Sequence, residues 1–171
     1  YKVTGGSDVC SSDLSVQADI LASAFGDGKS SRLYSHLVRD QHIASSVFCY
    51  ADQREHASLL TCSATAAHPG ISHQQLLDAL DKEIQGLLAE PFSDTELEKA
   101  INAAGTGYAY HMQTNAGIAD MVCNQTLFWN DPMRAFSIVD RYRVVTKNEM
   151  NGLIEGMIRG KESCTVSIIP A

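Results

Sequence analysis

The chain has 171 residues, 44% of them apolar and 19% charged, with a net charge of −7. That is ordinary globular composition with apolar mass enough for a core, and thirteen basic against twenty acidic side chains, with no basic block, argue against a nucleic-acid partner. No apolar run approaches the ~18 residues of a membrane span.

The octapeptide SDVCSSDL, Ser7 to Leu14, reads as the translation of a sequencing adapter. Residues 1–13 are therefore set aside as a non-native segment, expected to be exposed and irregular, and residues 14–171 are taken as the domain. The domain is then expected to be truncated at its N-terminus, with an unpaired sheet edge where a strand is missing.

Leu14 to Phe25 carries Val16, Ile20, Leu21, Ala24 and Phe25 near helical spacing. Gly26-Asp27-Gly28 breaks it, and Ser30 or Ser31 can cap a second helix striped by Leu33, Tyr34, Leu37 and Val38. Ala44–Tyr50 and Ser58–Ala67 read as two antiparallel strands around a polar turn, Asp52–His56. Three capping boxes follow, Ser72…Gln75, Ser93…Glu96 and Thr146…Glu149. The first opens a helix that Pro91 stops. The second opens a long helical stretch, weakened at Gly105 and Gly107, reaching about Trp129. Asp131-Pro132 starts a short helix to about Tyr142. The third opens a helix with Leu153, Ile154, Met157 and Ile158, and Cys164–Ile169 is a last strand. Strands that cluster instead of alternating with helices predict an α+β fold with an antiparallel sheet covered by helices.

Little chemistry survives inspection. GDGKS imitates a phosphate loop, but the glycine required five positions before Gly28 is Ser23, and a helix precedes the motif where a strand should. Nucleotide binding stays a remote alternative, and a helix corner needing positive φ is the plainer one. His68 and His73, astride a Pro-Gly turn, are either metal ligands or surface loop residues. No H-x-x-E-H or H-E-x-x-H occurs, so no peptidase zinc site is expected here. Cys49, Cys62, Cys123 and Cys164 form no C-x-x-C pair. Cys49 and Cys62 fall on successive strands, where a disulfide is conceivable and buried thiols are favoured.

Phe25–Tyr50 resembles the insulinase/pitrilysin family of inverted-motif zinc peptidases, of the mitochondrial processing peptidase-like type. The resemblance rests on Gly26-Asp27-Gly28-Lys29-Ser30-Ser31-Arg32-Leu33-Tyr34, on Leu37, and on Gln41, Ala44, Ser46 and Val47. Phe92–Ala100, Asn130-Asp131-Pro132 and Tyr142–Thr146 continue it in order. It implies the C-terminal, substrate-enclosing half of a zinc-dependent peptidase, closing over peptides bound at zinc in a separate first half. On that resemblance the chain holds no catalytic or metal residue and needs no cofactor of its own. Its partners are the zinc-bearing N-terminal half, or a homologous subunit, and a peptide. The substrate-facing candidates are Gly26, Asp27, Gly28, Lys29, Ser30, Val38 and Ser45. Val38 and Ser45 occupy positions where active relatives often carry Arg and Tyr, while Arg39 lies one place off and Tyr50 further along the strand. That departure keeps open a scaffolding or inactive subunit of the same fold, as in respiratory-complex core proteins. By analogy an extracytoplasmic site such as the bacterial periplasm is expected.

Overall fold

All three capping boxes form as the spacing predicts. In each, the cap side chain accepts from the amide three residues on, and the Gln or Glu at that position accepts from the cap amide: Ser72 with Gln75, Ser93 with Glu96, Thr146 with Glu149. They start α2 (His73–Ala89), α3 (Asp94–His111) and α6 (Lys147–Ile158). The computed structural model describes residues 2–7, 12–52, 58–159 and 163–168, with 2–7, 12, 13 and 58 described through their backbone alone.

The remaining elements are β1 (Lys2–Ser7), α1 (Ser12–Gly26), β2 (Ala44–Asp52), β3 (Ser58–Ala66), α4 (Asn115–Trp129), α5 (Ile138–Arg143) and β4 (Ser163–Thr165). A π-helical turn, Tyr34–Asp40, follows α1, and a 3-10 turn, Pro132–Phe136, precedes α5. The four strands form one antiparallel sheet in the order β2-β3-β1-β4.

β1 corrects the expectation of an irregular N-terminus. Lys2–Ser7 is an inner strand, with Lys2 opposite Cys62 of β3 and Thr165 of β4. It leaves no bare edge on β3 at Leu60–Cys62, because Lys2, Val3 and Thr4 pair with neighbours on both sides. Only Ser7 of β1 belongs to the octapeptide at Ser7 to Leu14, and Lys2, Val3 and Thr4 satisfy their backbone groups in the ladder on both sides.

α1 is the centre of the molecule. Val16, Ala18, Ile20, Leu21, Ala22, Ala24 and Phe25 are buried, and Ser15 and Gln17 with them. A helix buried around most of its circumference, with Leu14, Asp19 and Ser23 partly exposed, must be enclosed by other elements, and α1 packs on β2, β3, α3, α5 and α6. Leu80, Ile84 and Leu87 of α2, Leu97 and Ala100 of α3, and five residues of α6 (Met150, Leu153, Ile154, Met157, Ile158) complete the core.

The long helix expected to reach Trp129 is two helices. It runs unbroken through Gly105 and Gly107 and ends at His111. Thr114 then caps α4 by accepting the Gly117 amide at 3.0 Å. A β-carbon on Gly117 would lie 1.8 Å from the His111 carbonyl oxygen, so only glycine lets the two helices meet there. The helix expected over 131–142 is likewise split by Ser137, and the last strand stops at Thr165 with 166–168 irregular. The turn residues Gln53–His56, Cys10 and Ile169 lie outside the described residues.

Deleting residues 1–7 removes ladder partners from both β3 and β4. The expected loss is on the order of 3 kcal/mol at roughly 1 kcal/mol per net hydrogen bond, or a melting temperature lower by roughly 6–12 °C. A thermal melt of the shortened chain beside the intact one checks this; a change under about 0.5 kcal/mol marks an unpacked tail instead.

Candidate functional site

The glycine corner has two parts with different surroundings. Gly26 is buried at the end of α1, where a β-carbon would sit 2.3 Å from Cys49 Cβ and 2.8 Å from the Cys49 backbone nitrogen. It is a contact between α1 and β2, on the covered face of the sheet. Asp27, Gly28, Lys29 and Ser30 are exposed. Gly28 has φ +78° with open space around it, a conformation that costs residues with a β-carbon about 1–2 kcal/mol. Ser31, not Ser30, secures the turn: it is buried, and its hydroxyl donates to the Gly28 carbonyl at 2.8 Å.

The next residue fixes this corner to a distant one. The Arg32 guanidinium donates to both carboxylate oxygens of Glu96, at 3.1 and 3.0 Å, and to the carbonyls of Glu90 and Pro91. It also lies 4.8 Å over the centre of the buried Phe92 ring. Arg32 thus holds the entire α2–α3 turn. Partial burial by itself would raise the Glu96 pKa, but the Arg32 hydrogen bonds, with those from the Ser93 amide and hydroxyl, outweigh it and hold the carboxyl at about 2. Beside it, His36 of the π-helical turn meets Glu83 of α2 at 2.6 Å.

Val38 and Ser45 do not join the corner in one pocket. Val38 is half-buried in the π-helical turn and packs on the core. Ser45 is the extra residue of a β-bulge: Ala44 pairs with Ala66 and Ser46 with Thr65, leaving Ser45 between them. Its hydroxyl donates to the Thr65 and Ala66 carbonyls at 3.3 and 3.2 Å. The bulge shifts the phase of β2, so that Ala44 faces the core before it and Val47, Cys49 and Ala51 after it. Arg39, one place from the arginine position of active relatives, is exposed and bonded to Asp40 at 3.0 Å.

The same phase shift turns Ser46, Phe48 and Tyr50 to the other face. Phe48 and Tyr50 are 48% and 42% exposed, with ring centres 5.8 Å apart. Their partners on β3 are Ser63 and Thr61, and Ser46 faces Thr65. The result is an open aromatic pair beside Ser46, Ser63 and Thr65, while Thr61, opposite Tyr50, is buried. Neither Phe48 nor Tyr50 is among the substrate-facing candidates, although the period-two alternation Ser46, Phe48, Tyr50 signals a shared outward face. A cavity of about 930 Å³ between Ser63–Pro69, the first half of α2 and residues 165–168, and one of about 400 Å³ between α3 and α5, contain none of the seven candidates.

Among the described residues no group of three or more His, Cys, Asp or Glu could hold a metal ion, so these side chains do not fit a zinc site. No helix among them is long and apolar enough to cross a membrane. The described residues thus form a four-stranded antiparallel sheet with helices on one face and the exposed Phe48 and Tyr50 on the other. The family model for the peptidase M16 inactive domain matches residues 8–104, and the chain belongs to this family. It is the inactive, C-terminal type of domain found in M16 zinc proteases. Among solved structures it is similar to the inactive peptidase domain of a protein assigned as a zinc protease from Bordetella parapertussis, with TM-score 0.77, 21% identity, and 99% of this chain and 93% of that chain covered. It is also similar to a protease from Helicobacter pylori, with TM-score 0.79, 18% identity, and 91% and 37% covered. A chain of complex III2 from Candida albicans matches with TM-score 0.76, 14% identity, and 95% and 40% covered. No curated protein matches.

Two substitutions test this geometry. Gly26→Ala forces its new methyl against the Cys49 backbone and is expected to destabilise the fold by about 3 kcal/mol, at the upper end for overpacking, read by urea denaturation. Arg32→Met is expected to cost about 2 kcal/mol at pH 7, typical of hydrogen bonds to charged groups. Because the folded Glu96 pKa is depressed from 4.5 to about 2, its share of that cost is full above about pH 4.5 and disappears as pH falls through about 2. Melts of both proteins from pH 7 to pH 2 should therefore converge, leaving a residue from the lost carbonyl bonds and the Phe92 stack.

Proposed function

We propose that this chain is the substrate-enclosing half of an M16 zinc protease, closing over a peptide bound at zinc in a separate first half. The observation that carries the reading is the open sheet face. Phe48 and Tyr50 present a large apolar surface flanked by Ser46, Ser63 and Thr65, all on one side of β2–β3. An aromatic centre with a hydroxyl rim suits an extended peptide, whose side chains bury on the rings and whose amides reach the hydroxyls. The chain contributes no catalytic group in this reading. Zinc chemistry belongs to the partner half, and the exposed Asp27-Gly28-Lys29-Ser30 corner adds charge at the margin of the enclosed space.

A scaffolding subunit is the second reading. Val38 and Ser45 stand where active relatives carry Arg and Tyr, and a complex III2 chain shares the fold.

The test is reconstitution with a zinc-bearing M16 half supplied as a separate chain. The chain alone should cleave no fluorogenic peptide, and the pair should. Phe48→Ser with Tyr50→Ser is expected to lower kcat/KM about tenfold, the effect of losing ~1.4 kcal/mol of contact, while exposed positions leave the melting temperature nearly unchanged. Lys29→Glu should shift preference from acidic towards basic peptides, since a lone exposed charge steers more than it anchors. No turnover by the intact pair, with a stable complex still formed, selects the scaffold.

A further inference from the structure

We infer that Cys49 and Cys62 are a site of reversible oxidation, a cross-strand disulfide that joins β2 to β3 beneath the end of α1. The two residues are direct register partners in the antiparallel ladder. Direct partners have Cα atoms about 4.5–5.5 Å apart, inside the roughly 4.4–6.8 Å that a disulfide spans. Both are free thiols on the covered face, 2% and 0% exposed, with their sulfurs in contact at 3.0 Å. The other described thiols, Cys123 on α4 and Cys164 on β4, are exposed.

The reaction balances as thiol–disulfide exchange with a low-molecular-weight disulfide. One cysteine, as thiolate, attacks the oxidant and releases its first sulfur as a thiol, leaving a mixed disulfide. The second cysteine displaces the remaining sulfur as a second thiol. The pair loses two protons and two electrons, and the oxidant becomes two thiols. Burial, aided by the adjoining Cys62 thiol, pushes the Cys49 thiol up, so little thiolate exists in the closed fold. Exchange therefore runs during folding or while the β2–β3 pair is open, and the closed fold then protects whichever state it holds. Gly26, packed directly on Cys49, is the lid on the bond.

The test uses the full chain with Cys10→Ser, Cys123→Ser and Cys164→Ser, which keeps only the inferred pair. The protein is refolded from urea in oxidised or reduced glutathione, then denatured, alkylated and weighed. The oxidised sample is expected to be monomeric, about 2 Da lighter than the unalkylated reduced chain, with neither cysteine alkylated and no glutathione attached. Its melting temperature should be higher by roughly 5–10 °C, as for a short loop closed by a disulfide. Cys49→Ala in the same background should melt identically in both buffers. Two alkylated cysteines, or glutathione on each, after refolding in the oxidised buffer would overturn the inference, as would the same shift in Cys49→Ala.

Discussion

Burial of α1 on most sides is the constraint to which the other elements answer. Ala18, Ile20, Leu21 and Phe25 have no exposed surface, so the sheet must close one side and α3, α5 and α6 the others. Its few polar groups are placed to suit. Asp19 accepts the Tyr142 hydroxyl at 3.2 Å, Tyr142 stacks edge-on against Tyr108, and the Tyr108 hydroxyl reaches the Ala135 carbonyl at 2.9 Å. Through this chain of contacts the central helix, α3, α5 and the 3-10 turn share one polar seam inside an apolar core. Where α1 ends, Gly26 against Cys49 sets how closely the helix layer approaches the sheet. Everything after it, from the exposed glycine turn to the Arg32 anchor, starts from that fixed point.

What the sequence disclosed depended on whether the signal was local. Helix starts were legible because a capping box is complete within four residues, and all three formed. The α3–α4 break was not, because it rests on Gly117 meeting the His111 carbonyl six residues away, a contact that periodicity does not register. β1 was hidden because residues 1–13 were set aside with the adapter-like octapeptide at Ser7 to Leu14, whereas its order comes from the ladder with β3 and β4. On the candidate site, the exposure of 27–30 followed from its polarity, whereas the burial of Gly26 required knowing what lies opposite. Ser45 illustrates the remaining difficulty. One inserted residue reversed which side chains of β2 face outward, and with them the aromatic pair on which the functional reading rests.

An inactive half-domain contributes surfaces instead of reacting groups, and its chemistry is spread accordingly. The strong polar interactions here, Arg32 with Glu96 and the capping boxes, hold helices and turns together. The open face carries Ser46, Phe48 and Tyr50 of β2 beside Ser63 and Thr65 of β3, with the acidic Asp52 next in the same alternation.

α4 departs from the rest of the fold. It buries only Gly117 among its fifteen residues, leaves Leu127 and Phe128 exposed, and packs chiefly on the adjoining 3-10 turn. Opening it therefore exposes little that was dry. Its backbone amides should exchange with solvent deuterium well before those of α1, whose release requires the whole core to come apart. The chain thus carries a locally labile unit on a cooperative core, and the two would report separate free energies in one exchange experiment.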